Sequence, residues 1–135
     1  MFPFGFGLSY STFEYSALKC SAISPEGNFT VTFTIKNTSN VYGREVAQIY
    51  ISDDEVSLPR AQRELKGFKK VALRPGESKT AEVHLDRDAL GFYDERRGEW
   101  VSEKGIFSVF VGASSEEIKL KESIELVHGL SWRGL

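Results

Sequence analysis

The sequence predicts an all-β sandwich of about seven antiparallel strands. Apolar and polar residues alternate with a period of two along several short runs, and turns rich in Pro and Gly separate those runs. No window sustains a 3.6-residue repeat over the roughly ten residues that would argue a helix.

In chain order, Thr12 to Leu18 is the first candidate strand. Pro25-Glu26-Gly27-Asn28 is a turn, with proline fixing φ and glycine free to take a positive one. From Asn28 to Asn37, Phe29, Val31, Phe33 and Ile35 alternate with Thr30, Thr32, Thr34 and Lys36. Successive side chains point to opposite faces of a strand, so this run has one apolar and one solvated face. Val46 to Ile51 is nearly all apolar and reads as a central strand, and Leu58 to Phe68 as a long loop joining two strands. After a second turn, Arg74-Pro75-Gly76-Glu77, the residues Ala81, Val83 and Leu85 alternate with Thr80, Glu82, His84 and Asp86. Asp86 to Leu90 has room for one helical turn at most. Gly98, Gly105 and Gly112 punctuate the second half. Phe107, Val109 and Val111 form an inward row, while Ile106 and Phe110 on the other face predict a strand covered on both sides. Glu117 to Leu126 is the last strand, and His128 to Leu135 an extended tail.

The 135 residues suit one domain, large enough to bury a core without metal or disulfide staples. Hydrophobic residues at 41% and charged residues at 27% argue against disorder. Seventeen Lys and Arg nearly balance nineteen Asp and Glu, and apart from pairs such as Lys69–Lys70 and Arg96–Arg97 they are scattered. Nucleic acid is therefore not an expected partner, since phosphate backbones demand a dense basic footprint. No apolar run reaches the ~18 residues of a membrane span, so no membrane partner is expected either. Cys20 is the only cysteine; it cannot form an internal bridge, and beside Leu18 and Ile23 it reads as a buried structural thiol. The segment after Met1 lacks the basic start and long apolar stretch of a signal peptide, and reads as an excised piece given an added start. Asn28-Phe29-Thr30 and Asn37-Thr38-Ser39 match the N-glycosylation pattern and raise the expectation of a secreted parent.

Catalytic chemistry is hard to place. Nucleophilic catalysis needs a base beside Ser, Thr or Cys, yet His84 lies on the polar side of its strand and His128 in the tail. Two histidines and one cysteine without ligand spacing argue against zinc. Acidic residues abound (Asp53-Asp54-Glu55, Glu64, Asp94-Glu95, Glu99, Glu103), but nothing in the sequence pairs two of them across a scissile bond. Asp53-Asp54-Glu55 also lacks the spaced ligands of a calcium loop. No catalytic residue, metal or cofactor is expected. Aromatic residues tell more. Phe13, Tyr15, Phe29, Phe33, Phe107 and Phe110 fall in strand patterns and predict core. Phe2, Phe4, Phe6 and Tyr10 are interrupted by Pro3, Gly5 and Gly7 and need another surface to pack on. Trp100 has two readings, a sandwich-edge core residue or a sugar-stacking platform, and the typical burial of large aromatics favours the core.

Several motifs together carry a family likeness. Phe2-Pro3-Phe4-Gly5-Phe6-Gly7-Leu8-Ser9-Tyr10 with Thr12-Phe13 resembles the "FPFGxGLSYTTF" segment leading into the last domain of family 3 glycoside hydrolases. Pro59 to Val71 is similar to that domain's "RPxKELKGFxKV" stretch, with Ala61 where the family usually has proline. Leu73-Arg74-Pro75-Gly76-Glu77-Ser78 resembles "LxPGET". Tyr93-Asp94, Trp100 and Gly105 to Ser115 resemble "W…GxFxVxVGxSS". The resemblance implies an immunoglobulin/fibronectin type III-like sandwich over residues 12–127. It further implies a lead-in at 1–11 from an upstream catalytic domain and a tail at 128–135. The family's "SDW"-type nucleophile motif is absent from the chain, so no catalytic residue carries over. The implied role is a non-catalytic accessory domain of a secreted β-glucosidase-like enzyme acting on β-glucosides or cello-oligosaccharides, docked on that enzyme's catalytic domains. Phe4, Phe6, Tyr10, Arg60, Arg63 and Glu64 are the candidate docking residues. The alternative is a module that anchors the enzyme to polysaccharide or lignin, with Trp100, Tyr42 and Tyr50 as stacking candidates. A free-standing adhesion domain fits the Phe2–Tyr10 segment less well.

Overall fold

The computed structural model describes residues 12–53, 64–114 and 116–133. Ten strands run β1 (Phe13–Cys20), β2 (Phe29–Asn37), β3 (Gly43–Asp53), β4 (Glu64–Leu73), β5 (Ser78–Leu85), β6 (Phe92–Asp94), β7 (Glu99–Ser102), β8 (Gly105–Ser114), β9 (Glu117–Leu126) and β10 (Leu130–Trp132). A 3₁₀ turn, Arg87–Leu90, falls where the sequence leaves room for one helical turn. Strands β1-β2-β5 form one sheet and β4-β3-β8-β9 the other, with β10-β7-β6 as a third, smaller sheet. The described pairings are all antiparallel. The fold is the all-β sandwich that the alternation predicts.

The alternating rows do the packing. Phe29, Val31, Phe33 and Ile35 of β2 are buried, and so are Ala47, Ile49 and Ile51 of β3 and Phe107, Val109 and Val111 of β8. Together with Tyr15, Leu73, Ala81, Ile124 and Leu126 they make one core between the two main sheets. Removing such side chains from water, at about 25 cal/mol per Å² of apolar area, drives the closure. The Asp86 carboxylate caps the 3₁₀ turn by accepting the Asp88 N–H at 3.0 Å, and the turn sends Ala89 and Leu90 into the end of the core. Tyr15 donates its hydroxyl to Glu45 Oε2 at 2.8 Å, tying β1 to β3 across the sandwich. Burial, then the Glu45 hydrogen bond and charge, push its phenol above the ordinary range.

The registers define two poles. Phe29 pairs with Leu85, Asp53 with Phe107 and Gly105 with Leu126. The start of β2 and β8 and the end of β3, β5 and β9 therefore meet at one pole, together with the 3₁₀ turn and the small sheet. The opposite pole holds the turns around residues 38–42 and 74–77.

The two main sheets together hold seven strands, as expected, and β6, β7 and β10 add a small sheet whose strands are too short to show alternation. Two expectations need correction. The loop expected to reach Phe68 already becomes strand at Glu64, since Leu65, Gly67 and Phe68 pair with Tyr50, Ile49 and Gln48. The C-terminal stretch expected as a tail pairs Leu130–Trp132 with Trp100–Ser102 and buries Trp132.

Candidate functional site

Of the candidate docking residues, Phe4, Phe6, Tyr10, Arg60 and Arg63 lie outside the described residues. Glu64 opens β4, is exposed, and pairs with Lys66 Nζ at 3.0 Å. The three stacking candidates are not brought together. Tyr42 precedes β3 at the pole opposite the small sheet, and Trp100 is on β7. Tyr50 is 8% exposed and donates its hydroxyl to Gln48 Oε1, so its ring offers no outward platform. Its position on β3 faces away from the sandwich core yet is covered, which alternation alone does not reveal.

Trp100 corrects the core reading. It is 38% exposed and lies across from Tyr93, which is 49% exposed. Their rings meet edge to face at 68°, with centroids 5.4 Å apart. Phe92, next along β6, is 45% exposed. The aromatic that does fill the base of this sheet is Trp132, stacked under the Arg87 guanidinium at 4.5 Å. Nothing in the sequence pattern distinguishes the two tryptophans.

The sequons also differ. Asn28 is exposed in its turn. Asn37 is fully buried, and both hydrogens of its amide are used. Nδ2 donates to the Val41 carbonyl at 2.9 Å and to the Leu73 carbonyl at 3.0 Å. A glycan on that nitrogen has no room, so the expectation of an acceptor at Asn37 is withdrawn.

Among the described residues, the remaining polar groups do not assemble into a reactive centre. His84 Nδ1 is 3.0 Å from the Thr30 hydroxyl and Nε2 is 3.3 Å from Glu82. A hydroxyl, an imidazole and a carboxylate in that order mimic a nucleophilic triad, but they stand on an open strand face where His84 and Glu82 are mostly exposed. Water there levels the electrostatic advantage that a preorganised dry site supplies. Asp94 and Glu99 face each other across β6 and β7. Asp94 Oδ1 accepts the Arg96 N–H at 3.0 Å, and Glu99 pairs with Arg97 at 3.4 Å, so both carboxylates organise the hairpin. Among the described residues no group of three His, Cys, Asp or Glu is placed to hold a metal. Cys20 is half-buried, and burial, then the Glu122 charge, push its thiol up to about 11, well above the range of a reactive thiolate.

Known proteins place this architecture. A family profile described as "Fibronectin type III-like domain" matches residues 45–115. The chain is 42% identical, over its whole length, to probable β-glucosidase H of Emericella nidulans, of which it covers 17%. It is 41% identical over 93% of its length to thermostable β-glucosidase B of Acetivibrio thermocellus, again covering 17%. Among solved structures, β-glucosidase 3B of Thermotoga neapolitana in complex with glucose superposes with a TM-score of 0.83 at 37% identity. That match covers 97% of this chain and 18% of the Thermotoga chain. The chain thus spans about a sixth of the length of the curated relatives it matches.

Proposed function

The chain belongs to the fibronectin type III-like domain family, and we propose that it serves as a non-catalytic accessory domain of a longer β-glucosidase-like enzyme. Its role there is to stabilise and dock against the catalytic domains of the same polypeptide. The observation that carries this reading is the coverage: nearly the whole chain aligns with about a sixth of each of several β-glucosidases. The side-chain chemistry agrees with it, since Asp94 and Glu99 are engaged in the hairpin's own turn and ion pair, and His84 and Glu82 stand on an open strand face. Secretion, with Asn28 as a glycan acceptor, and action of the parent on β-glucosides or cello-oligosaccharides belong to the same proposal. The lead-in at 1–11, with Phe4, Phe6 and Tyr10, and the segment carrying Arg60 and Arg63 are proposed to face the catalytic body.

The test is turnover by the purified chain. Aryl β-glucosides and cellobiose are expected to remain uncleaved. Hydrolysis that survives purification and disappears when one carboxylate, such as Asp94 or Glu99, is replaced by its amide would overturn the reading.

A further inference from the structure

We propose that the β6–β7 hairpin is a rigid aromatic tongue that seats in a cleft of the parent's catalytic body, an inference that rests on the accessory-domain reading above. Among the described residues β6 is an edge strand of the small sheet, which lies at the pole of the 3₁₀ turn. Adjacent residues of a strand point to opposite faces, so Phe92 and Tyr93 clothe both faces of that edge, and Trp100 flanks Tyr93 across the hairpin. Large aromatics left this exposed side by side mark interfaces, where such residues are enriched. The other exposed large apolar residues among those described are spread out: Val46, Leu65 and Phe68 are interleaved with Lys66, Lys69 and Lys70 on β3 and β4, Tyr42 precedes β3 at the opposite pole, and Val127 follows β9.

The tongue is held in one shape before it meets anything. The Asp94 carboxylate accepts the Arg96 N–H, and the Asp94 carbonyl accepts the Arg97 N–H at 3.2 Å and the Gly98 N–H at 2.9 Å. At its base Gly91 lies so close to the Trp132 ring that a Cβ there would stand 2.7 Å from it. Preorganisation of this kind lowers the ordering cost of binding. At the tip the Arg96 side chain is almost wholly exposed and only 4.0 Å from Asp94, leaving guanidinium donors for carboxylates or carbonyls on the rim of a cleft.

The geometry selects a protein cleft over a flat polymer. A polysaccharide surface needs coplanar ring faces on one side. Here Tyr93 and Trp100 meet edge to face, and Phe92 points to the other side of the strand. The occupant is the rest of the polypeptide, because the solved Thermotoga enzyme extends far beyond the 18% that this chain covers.

Hydrogen exchange decides the matter, measured on the chain alone and on a chimera in which it replaces the matching segment of the Thermotoga neapolitana β-glucosidase. Amides of residues 92–101 are expected to exchange roughly tenfold more slowly in the chimera, as they would on entering a packed interface. The double variant Tyr93→Ser, Trp100→Ser should abolish that slowing while leaving the melting temperature of the isolated chain within a few degrees. Slowing confined to the β3–β4 face would overturn the tongue and leave docking standing. No slowing on any face would overturn docking with it. Retention of the isolated chain on insoluble cellulose that is lost with Trp100→Ser would assign the aromatics to polymer instead and refute the proposal.

Discussion

Replacing Asn37 by Ala probes the tie between the two turns of the pole opposite the tongue. The Asn37 amide nitrogen donates to Val41 and Leu73 carbonyls, and its oxygen accepts the Ser39 N–H at 2.9 Å and the Ser39 hydroxyl at 2.6 Å. The backbone joins in, with Asn37 N–H donating to the Glu77 carbonyl and Gly76 N–H to the Asn37 carbonyl, but alanine keeps those bonds. Each lost side-chain bond is worth about 0.5–1.5 kcal/mol net, and stripping a partner from the buried Leu73 carbonyl costs about 1–3 kcal/mol. Part of the set is solvent-accessible, so a total near 3 kcal/mol is expected. For a domain of this size that is a fall of roughly 10–15 °C in melting temperature. Thermal denaturation followed by circular dichroism reads it directly. Asn37→Asp keeps the shape but turns both donors into an acceptor, and should destabilise at least as much. A fall of less than about 3 °C for either variant would refute the assignment of Asn37 as a buried structural tie. In a eukaryotic secreted product, intact-mass analysis should then find a glycan on Asn28 and none on Asn37.

Gly112→Ala places a Cβ 2.2 Å from the Glu117 carbonyl oxygen, a backbone atom that cannot swing away. A loss of about 3 kcal/mol or more in urea unfolding is expected, and a loss below about 1 kcal/mol would mean the β8–β9 turn adjusts freely. Ala17 sits at φ 57° beside the bulge of β1, so Ala17→Gly should stabilise by about 0.5–1 kcal/mol, the relief of left-handed strain less the extra freedom glycine gives the unfolded chain. Raised folded-state values for Cys20 and Tyr15 mean the native state holds those protons more tightly. The stability these two groups contribute is therefore full below about pH 9 and falls as pH rises, first through the thiol's window from 9.0 to about 11, then further as the phenol becomes ionisable in the unfolded chain. Alkaline melting curves of Cys20→Ala should show a shallower fall between those pH values than those of the original chain, and an unchanged slope would contradict it.

Legibility followed the periodicity of individual strands. Phe29, Val31, Phe33 and Ile35 announce β2 because one of its faces is wet and the other dry. β4 hides because its inward residue Gly67 carries no apolar signal while Phe68 points out. The glycine is there to let β4 approach β5: a Cβ on it would lie 3.2 Å from Leu85. The small sheet hides because three- and four-residue strands contain no full period. Trp100 and Trp132 show the limit most clearly. They are neighbours in register, Trp132 opposite Trp100, yet one is exposed and the other buried by the 3₁₀ segment and Gly91. Burial of that kind depends on chain-distant contacts that local pattern does not encode. Similarly, the acceptor pattern at Asn37 is a three-residue motif, blind to the Leu73 carbonyl 36 residues away.

The most direct measurement is β-glucosidase activity, with its thermal inactivation rate, in three proteins. They are the Thermotoga neapolitana enzyme lacking the segment that this chain matches, the chimera carrying this chain, and a control carrying an unrelated fibronectin type III domain. If the chain acts as a docked accessory domain, the chimera regains activity and heat resistance that the deletion lacks and the control does not restore. A deletion as active and stable as the intact enzyme, or a control that rescues as well as the chimera, would contradict that role.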